Sequence, residues 1–369
     1  TRDSRLTRDE VRALAASIAV TGGMTLLSDD VPGLGDAERA LVRETLELAR
    51  EVDEARQTGA ARVLDAGPDE IPRVVAARGF GDRLVALFNP GEEPARVGVA
   101  RAAVAAAAPG RLADAPAEPL LGSPPAEERD GRIEVLLPPH GAALYRLRGA
   151  PPLVVFCDYD GTFAVQDVGS TLARRHAAAR RAELWPRLER GELTPWEYNL
   201  ELLDGLRLPE AELEAFLRTV ELDPGARDLV TFCEARGIPF RVLSDGFDRN
   251  LDRLQELHGV RFAYDANHLH YEHGAWRIAA GFPSDGRCDC GTGVCKAGRI
   301  EHFRRRHPGV PVVHIGNGRV SDRCAAVAAD VVFAKDTLAE ELDARGIAYE
   351  RFTTLHDVVA RLAARLGEG

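Results

Sequence analysis

The chain has 369 residues, of which 28% are charged and 45% belong to the hydrophobic set, a composition typical of a soluble, globular protein with two or more domains. Its 58 acidic residues outnumber its 47 basic ones, and the net charge of -11 disfavours binding to nucleic acid or to an anionic membrane. With no signal peptide and no apolar stretch of about 18 residues, the sequence predicts a cytoplasmic protein without a membrane partner. The six cysteines are expected to be reduced.

The first 60 residues carry a helical pattern. Thr7 and Glu10 have the spacing of a capping box and predict a helix through about Ile18. A second helix is predicted after Asp36, because apolar side chains recur there at helical spacing. Its inward face is expected to carry Leu41, Thr45, Leu48 and Val52.

From residue 61 to 148 the pattern changes to short β-strands. The segments 83–89 and 94–100 flank a Pro-Gly turn and predict a hairpin. Residues 132–149 predict two more strands around Pro-Pro, whereas the Ala/Pro-rich stretch 101–128 predicts loops with one strand. A small antiparallel β-sandwich is therefore predicted for this part.

The sequence Gly149-Ala150-Pro151-Pro152 is the best domain boundary in the chain, and the pattern beyond it is α/β. Short apolar strands alternate there with helical segments, which predicts a Rossmann-like parallel sheet covered on both faces. A mostly helical insert, at about residues 165–235, is too long for a crossover helix and is interpreted as a cap over the sheet's carboxyl edge. The strands are predicted at 153–157, 239–243, 311–315 and 330–334.

Polar residues follow several of these strands, at the edge where ligands bind in open α/β sheets. Asp158 and Asp160 end the first strand, two residues apart, and leave the chain on the same side. Two carboxylates this near to each other need a cation between them or a shared proton. Mg2+ prefers hard oxygen ligands of this kind. The further clusters contain Ser244, Lys296, and the pair Asn317 and Asp322. Taken singly, each cluster also fits a turn, a helix cap or a solvated lysine.

The order of these clusters resembles the motif order of the haloacid dehalogenase superfamily of phosphotransferases. The matching motifs are D-x-D-G-T at 158–162, the serine at 244, the lysine at 296 and the G-x-G-x-x-S-D turn at 316–322. Residues 151–369 are similar to phosphoserine phosphatase-like members, and most of all to the methionine-salvage phosphatases that act on hydroxy-keto-methylthiopentenyl phosphate. That closer likeness comes from the stretches RGELTPWEYN, DANHL, CGTGVCK and AADVVFAKDTL.

This resemblance implies a magnesium-dependent phosphomonoesterase for a small phosphorylated metabolite. Asp158 would be the nucleophile that becomes an aspartyl phosphate, and Asp160 would act as general acid and then as general base. Mg2+, Ser244 and Lys296 would offset the charge of the transferring group. The implied phosphate-binding residues are Thr162, Ser244, Asp245, Gly246 and Lys296, and the implied metal-binding residues are Asp158, Asp160, Asn317 and Asp322.

Two positions depart from the family pattern. Gly316-Asn317-Gly318 replaces the usual Gly-Asp-Gly, and an uncharged amide predicts weaker Mg2+ binding, with Asp322 compensating. A catalytically weakened phosphate-binding module therefore stays open as an alternative. Asp245 stands where glycine is common, and its negative charge would oppose phosphate unless it points away.

Three cysteines precede the lysine with the spacing C-x-C-x4-C, at positions 288, 290 and 295. This spacing raises a zinc hypothesis, but no fourth ligand is clear, although histidines 268, 270 and 273 lie upstream. The family resemblance favours instead a thiol-containing loop beside Lys296.

The first 148 residues resemble the carboxyl-terminal end of α-galactosidase-like glycoside hydrolases, through residues 6–30 and 137–147. Retaining hydrolysis needs two carboxyl groups about 5 Å apart, and the adjacent Asp29 and Asp30 would diverge. Residues 1–60 are therefore interpreted as the helical remnant of a barrel. The alternative function is the end of a carbohydrate-active protein fused to a phosphatase-like domain, and a start without methionine suggests a processed product or a fragment.

Overall fold

The computed structural model describes residues 5–23, 25, 31–55, 61–67 and 69–367, and the chain divides into two units. The first unit comprises Thr1–Pro151 with Glu234–Gly237, and the second comprises Pro152–Cys233 with Ile238–Gly369. Asp29 and Asp30 lie outside the described residues. Across the described ranges, no helix combines the length and the apolar character needed to cross a membrane.

The first unit begins with the α-helices α1 (Arg8–Thr21) and α2 (Asp36–Glu54), with a short 3-10 helix at Val31–Gly33 between them. The predicted capping box starts α1, because Thr7 accepts the Glu10 N–H and the Glu10 carboxylate accepts the Thr7 N–H. The predicted inward face of α2 is largely buried, with Leu48 and Val52 among its least exposed residues.

The strands of the first unit form two antiparallel sheets. A five-stranded sheet has the order β1-β2-β3-β8-β5, and a three-stranded sheet has the order β4-β7-β6. One face of the larger sheet packs on α1 and α2, and the other shares a core with the smaller sheet. The elements are β1 (Arg62–Ala66), β2 (Pro72–Arg78), β3 (Arg83–Phe88), β4 (Ala95–Ala100), α3 (Arg101–Ala106), β5 (Glu118–Leu120), β6 (Glu127–Arg129), β7 (Arg132–Leu137) and β8 (Ala142–Leu147).

The predicted hairpin between 83–89 and 94–100 is wrong. Strand β3 pairs with β2 and β8, whereas β4 pairs with β7, so the connection between them passes from one sheet to the other. Asn89 holds this corner, since its side-chain amide donates to the carbonyls of Glu93 at 2.8 Å and Pro138 at 2.9 Å. A Pro-Gly turn can connect two strands of one hairpin or two strands of different sheets. Only the packing of the sheets decides which of the two connections forms.

The second unit is built on a seven-stranded sheet of order β12-β11-β10-β9-β13-β14-β15. Its strands are β9 (Val154–Cys157), β10 (Phe240–Phe247), β11 (Ala263–Glu272), β12 (Ala275–Ala279), β13 (Val312–Gly316), β14 (Val331–Ala334) and β15 (Glu350–Arg351). All neighbours run parallel except β11 and β12. The prediction of a parallel sheet is confirmed for the four expected strands. The order switches direction at β9, and ligands bind at the carboxyl ends of strands at such a point.

Helices connect the strands of this sheet, and five of them, α4 to α8, form the long insert between β9 and β10. One hydrophobic core runs from the sheet into this insert and includes Val155 and Leu202. The helices are α4 (Val168–His176), α5 (Ala178–Glu189), α6 (Pro195–Leu203), α7 (Glu210–Leu217), α8 (Ala226–Ala235), α9 (Asp248–His258), α10 (Lys296–Arg306), α11 (Arg323–Ala328), α12 (Asp336–Arg345) and α13 (Leu355–Arg365).

Candidate active site

Three charged side chains meet at the carboxyl end of β9. Asp158 follows this strand, and its backbone N–H donates to the carbonyl of Ile315 in β13 at 2.8 Å. Lys296 begins α10, and its Nζ lies 2.5 Å from Oδ1 of Asp158 and 2.6 Å from Oδ1 of Asp322. All three side chains are buried. One ammonium group therefore bridges two carboxylates that come from distant parts of the sequence.

Asp322 also organises the loop after β13. Its Oδ2 accepts the N–H groups of Asn317 at 3.2 Å and Gly318 at 2.9 Å, and Nε2 of His314 lies 3.2 Å from its Oδ1. A methyl group on Gly316 would lie 2.6 Å from Cγ of Asp322, so only glycine leaves room for this carboxylate. Burial would raise the pKa of Asp322, but Lys296 and His314 together outweigh burial and lower this pKa from its usual value.

The three groups carry two negative charges and one positive charge out of contact with water. Burial, followed by the charge on Asp322, raises the pKa of Asp158 to about 7, although Lys296 opposes the shift. Burial would lower the pKa of Lys296, but the two carboxylates raise it above its usual value. Lys296 therefore stays charged beside a carboxyl group that titrates near neutrality, which is characteristic of functional sites.

Asp160 lies two residues after Asp158 and is hydrogen-bonded to the start of α4. Its Oδ1 accepts the N–H of Val168 at 2.7 Å. Burial and the charges of Asp167 and Asp158 raise the pKa of Asp160 well above its usual value. A raised pKa favours the protonated form, from which a carboxyl group can donate its proton as a general acid.

Ser244 lies near the end of β10, beside Asp160. Its buried Oγ accepts the N–H of Gly246 at 3.0 Å. A methyl group on Gly246 would lie 3.0 Å from this oxygen and 3.1 Å from Oδ2 of Asp160. Glycine therefore keeps open the gap between the second and first motifs, and a small cavity there is lined by all three residues.

Asp245 directs its carboxylate away from this gap. Its Oδ1 accepts the N–H groups of Gly293 at 2.9 Å and Val294 at 3.1 Å, and the amide of Asn267 donates to it at 3.1 Å. Burial raises the pKa of Asp245, although these hydrogen bonds oppose the shift. The side chain thus holds the loop that leads into Lys296, and binding of phosphate by this position stays a prediction.

The first motif loop lies directly against the fourth. Gly161 has a φ of +75°, and a Cβ there would lie 2.3 Å from Nδ2 of Asn317, so both the backbone angle and the space require glycine. Thr162 is fully buried, and within the described ranges its hydroxyl has no hydrogen-bond partner. An unpaired buried hydroxyl is unusual in a native protein and fits a site that a ligand completes.

The oxygen donors at this edge suit a hard divalent cation. When both are ionised, Asp158 and Asp322 exceed Lys296 by one negative charge. The side chain of Asn317, in the loop after β13, lies against Gly161, the residue that follows Asp160. Carboxylate, amide and carbonyl oxygens are the ligands that Mg2+ takes. Both oxygens of Asp322 already accept hydrogen bonds, so direct coordination by Asp322 stays a prediction.

Sequence reasoning missed two residues that support this arrangement. His314 lies within β13 and approaches Asp322, and Asn267 lies in β11 and binds Asp245. A histidine inside an apolar strand, directly before the fourth motif, is the signal that could have identified the first. Asn267 stands in the quoted stretch DANHL, but its role depends on a strand that was not predicted.

No family profile matches the chain, but similar proteins are known. The chain is 30% identical over 224 residues to the 2-hydroxy-3-keto-5-methylthiopentenyl-1-phosphate phosphatase of Geobacillus kaustophilus (strain HTA426), which covers 57% of this chain and 95% of the relative. The phosphatase of the same name from Bacillus mycoides (strain KBAB4) is 28% identical over 212 residues, covering 56% of this chain and 94% of its own.

Solved structures give two further likenesses. A phospho-aspartyl intermediate analogue of phosphoserine phosphatase covers 57% of this chain and 99% of its own, with 17% identity and a TM-score of 0.44. A family 27 β-L-arabinopyranosidase of Geobacillus stearothermophilus covers 40% of this chain and 32% of its own, with 19% identity and a TM-score of 0.32.

The relative from Geobacillus kaustophilus, 30% identical over 95% of its length, defines the class: the chain belongs to the haloacid dehalogenase superfamily of phosphatases. Within that class, the two curated relatives described above are 2-hydroxy-3-keto-5-methylthiopentenyl-1-phosphate phosphatases, and the chain itself is a phosphatase, a phosphoric monoester hydrolase. The resemblance read from the four motifs is confirmed.

Proposed function

We propose that the protein is a cytoplasmic, magnesium-dependent phosphomonoesterase that hydrolyses a small phosphorylated metabolite through an aspartyl phosphate on Asp158. The observation that carries the proposal is the contact of Lys296 Nζ with Asp158 at 2.5 Å and Asp322 at 2.6 Å. A fixed ammonium group beside a carboxylate offsets the charge of an incoming phosphoryl group. Without this positive charge, the Asp158 carboxylate and the negatively charged phosphoryl group would repel each other.

The first half-reaction transfers the phosphoryl group to the protein. An Asp158 oxygen attacks phosphorus, the bond from phosphorus to the leaving oxygen breaks, and Asp160 gives its proton to that oxygen. Ser244 and Lys296 donate hydrogen bonds to the phosphoryl oxygens. When bound, Mg2+ would be held by Asp158, the Asp160 carbonyl and Asn317, and would neutralise charge on those oxygens.

The second half-reaction regenerates the carboxylate. Asp160, now ionised, takes a proton from a water molecule, whose oxygen attacks phosphorus as the bond to Asp158 breaks. Asp160 must therefore give and take a proton in turn, and its raised pKa suits this exchange. Inorganic phosphate leaves, and both aspartates return to their starting states.

We place substrate selection in the helices α4 to α8, as a cap over the carboxyl edge of the sheet. The relatives are named for 2-hydroxy-3-keto-5-methylthiopentenyl-1-phosphate, which makes this small phosphate ester the first substrate to assay.

The test is phosphate release from this substrate and from p-nitrophenyl phosphate, with and without Mg2+. We expect Asp158→Asn to lose at least about a thousandfold in kcat, because the amide is a poor nucleophile. Asp228→Asn, which removes an exposed carboxylate from α8, is the control and should match the parent. Equal turnover by Asp158→Asn, or turnover that ignores Mg2+, would contradict the proposal.

A substitution at Asn317 gives a second test, which asks whether the protein is instead a catalytically weakened phosphate-binding module. Restoring a charged oxygen with Asn317→Asp should lower the Mg2+ concentration for half-maximal activity by roughly tenfold, equivalent to about 1.4 kcal/mol. The kcat at saturating Mg2+ should stay near that of the parent. If the parent binds phosphate without turnover and only Asn317→Asp is active, the hypothesis of a weakened phosphate-binding module is correct.

For the first unit we retain the interpretation of a barrel remnant at residues 1–60 joined to a β-sandwich at 61–148. We expect no hydrolysis of aryl glycosides by the full chain. Release of aglycone from a p-nitrophenyl α-galactoside or β-L-arabinopyranoside would favour the carbohydrate-active alternative instead.

A further inference from the structure

Four cysteines from two separate segments converge in the second unit. Cys288, Cys290 and Cys295 lie in the loop before α10, and Cys324 lies in α11. Their four Sγ atoms all lie within 4.8 Å of one another. A tetrahedral zinc ion with Zn–S bonds of about 2.3 Å holds its sulfurs about 3.8 Å apart. The cluster therefore has the dimensions of a site for a single tetrahedral ion.

Cys324 would supply the fourth zinc ligand, which the C-x-C-x4-C pattern in the sequence did not provide. The upstream histidines were the candidates, but Nδ1 of His268 contacts Oδ2 of Asp248 at 2.8 Å instead. Cys324 comes from beyond the fourth motif, and the packing of α10 beside α11 brings it to the other three cysteines. With four protein ligands the coordination shell is closed, which is the pattern of structural rather than catalytic zinc.

The surroundings of the sulfurs favour negative charge. Cys295 is the N-cap of α10, and its Sγ accepts the N–H of Gly298 at 3.4 Å. The positive end of that helix stabilises a thiolate at this position.

All four cysteines are free thiols in the structure. A free thiol carries a proton on its sulfur, and the four sulfurs of this cluster face one another within 4.8 Å. A divalent ion at the centre would replace these protons and satisfy every sulfur at once. Sulfur-only tetrahedral sites select zinc or iron, and zinc needs no redox partner.

We propose that Cys288, Cys290, Cys295 and Cys324 bind one structural Zn2+ ion. The ion would tie the loop before α10 to the start of α11. Cys295 directly precedes Lys296, and Cys324 follows Asp322 by two residues. The ion would thereby hold in register the two segments whose side chains form the 2.6 Å contact between Lys296 and Asp322. It touches no reacting atom, so its role is positioning.

The test starts with the full chain, expressed with zinc and iron in the medium and then exchanged into metal-free buffer. Elemental mass spectrometry should find one zinc per chain. Cys324→Ser and Cys288→Ser should each reduce the zinc content at least tenfold. The matched control is Cys233→Ala, which removes a buried cysteine of α8 outside the cluster and should retain the full zinc content.

Two further readouts keep the proposal testable if a serine variant folds poorly. Cobalt exchanged into the parent should show intense thiolate-to-cobalt charge transfer and tetrahedral d–d bands. Six thiols should titrate in denaturant with chelator and without reductant, matching the six cysteines of the chain. Iron in place of zinc, no metal after reconstitution, or fewer titratable thiols through disulfide formation would each overturn the proposal.

A kinetic comparison tests the positioning role. Removing zinc from the parent should lower kcat for p-nitrophenyl phosphate at saturating Mg2+, and adding zinc back should restore it. An unchanged kcat in zinc-free protein would overturn the positioning role. The zinc content is measured without any substrate, so a failure of the proposed phosphatase mechanism cannot be mistaken for a failure of the zinc site.

Discussion

The charged groups that meet at the carboxyl end of β9 are buried, and their negative charges outnumber the positive one. Asp158 and Asp322 share a single counter-charge on Lys296, and all three are buried. Burying a charge without full compensation costs stability, and such arrangements persist at functional sites. The charge excess is what a metal ion and a phosphate group would complete, so the pocket is arranged for its ligands at the expense of the folded state.

This imbalance predicts how stability depends on pH. The pKa of Asp158 in the folded protein, about 7, exceeds that of an unfolded aspartate, so its contribution to stability is fully present at acidic pH and is lost as pH rises through about 7. Asp158→Asn stays neutral throughout. In buffers without Mg2+, it should therefore unfold at higher urea concentration than the parent at pH 8, and the difference should shrink towards pH 4.

Asp228→Asn is the control for this comparison, because the side chain that it alters is exposed. Its offset from the parent should not vary between pH 4 and pH 8 in the way that we expect for Asp158→Asn. A parent that is more stable than Asp158→Asn at pH 8 would show that Lys296 more than compensates for both carboxylates.

At the scale of elements, the loops after β9 and β13 touch each other, and the end of β10 is tied to the loop before α10. Gly161 packs on Asn317, and Asp245 binds the N–H groups of Gly293 and Val294. These contacts join the ends of neighbouring strands to the loop before α10. The site is thereby supported by side chains packed on or hydrogen-bonded to the backbone of a neighbouring loop, and such support keeps catalytic groups in a fixed geometry.

The insert contains a helix whose start can be tested directly. Thr194 caps α6, since its Oγ1 accepts the Glu197 N–H at 3.2 Å and the Glu197 carboxylate accepts the Thr194 N–H at 2.8 Å. Thr194→Ala should lower the free energy of unfolding by about 1 kcal/mol, measured by urea denaturation of the second unit. Glu197→Gln keeps an acceptor oxygen and should cost less. Equal losses for the two variants would contradict this division of roles.

At the scale of the whole molecule, each unit has hydrophobic clusters of its own. Leu144 belongs to a cluster of the first unit, and Leu338 belongs to a cluster of the second; both side chains are fully buried. Replacing either leucine by alanine should cost about 2–5 kcal/mol, because it removes apolar contacts and leaves a cavity.

Calorimetry distinguishes the two substitutions. Leu144→Ala should lower the temperature of one unfolding transition and leave phosphatase activity unchanged. Leu338→Ala, the matched substitution, should lower the other transition and inactivate the enzyme at that lower temperature. If both transitions shift together in either variant, the two units unfold as one.

Much of the second unit could be predicted because its information is local. The strands β9, β10, β13 and β14 are short apolar runs, and each is recognisable without its neighbours. Polar residues directly after β9 and β13, and Ser244 near the end of β10, indicated one shared edge, since parallel strands end on the same side of a sheet. The capping residues Thr7 and Thr194 act within one helical turn, so their helix starts were also predictable.

The sequence by itself determined the superfamily, the parallel sheet, and the chemical types of the residues at its carboxyl edge. Only the tertiary structure decided that β3 and β4 belong to different sheets, that Asp245 turns to the loop before α10, and that Cys324 joins the other three cysteines. The physical reason is the same for all three. Each depends on a contact between residues far apart in the chain, and such contacts are set by how whole elements pack, which no local pattern of residues contains.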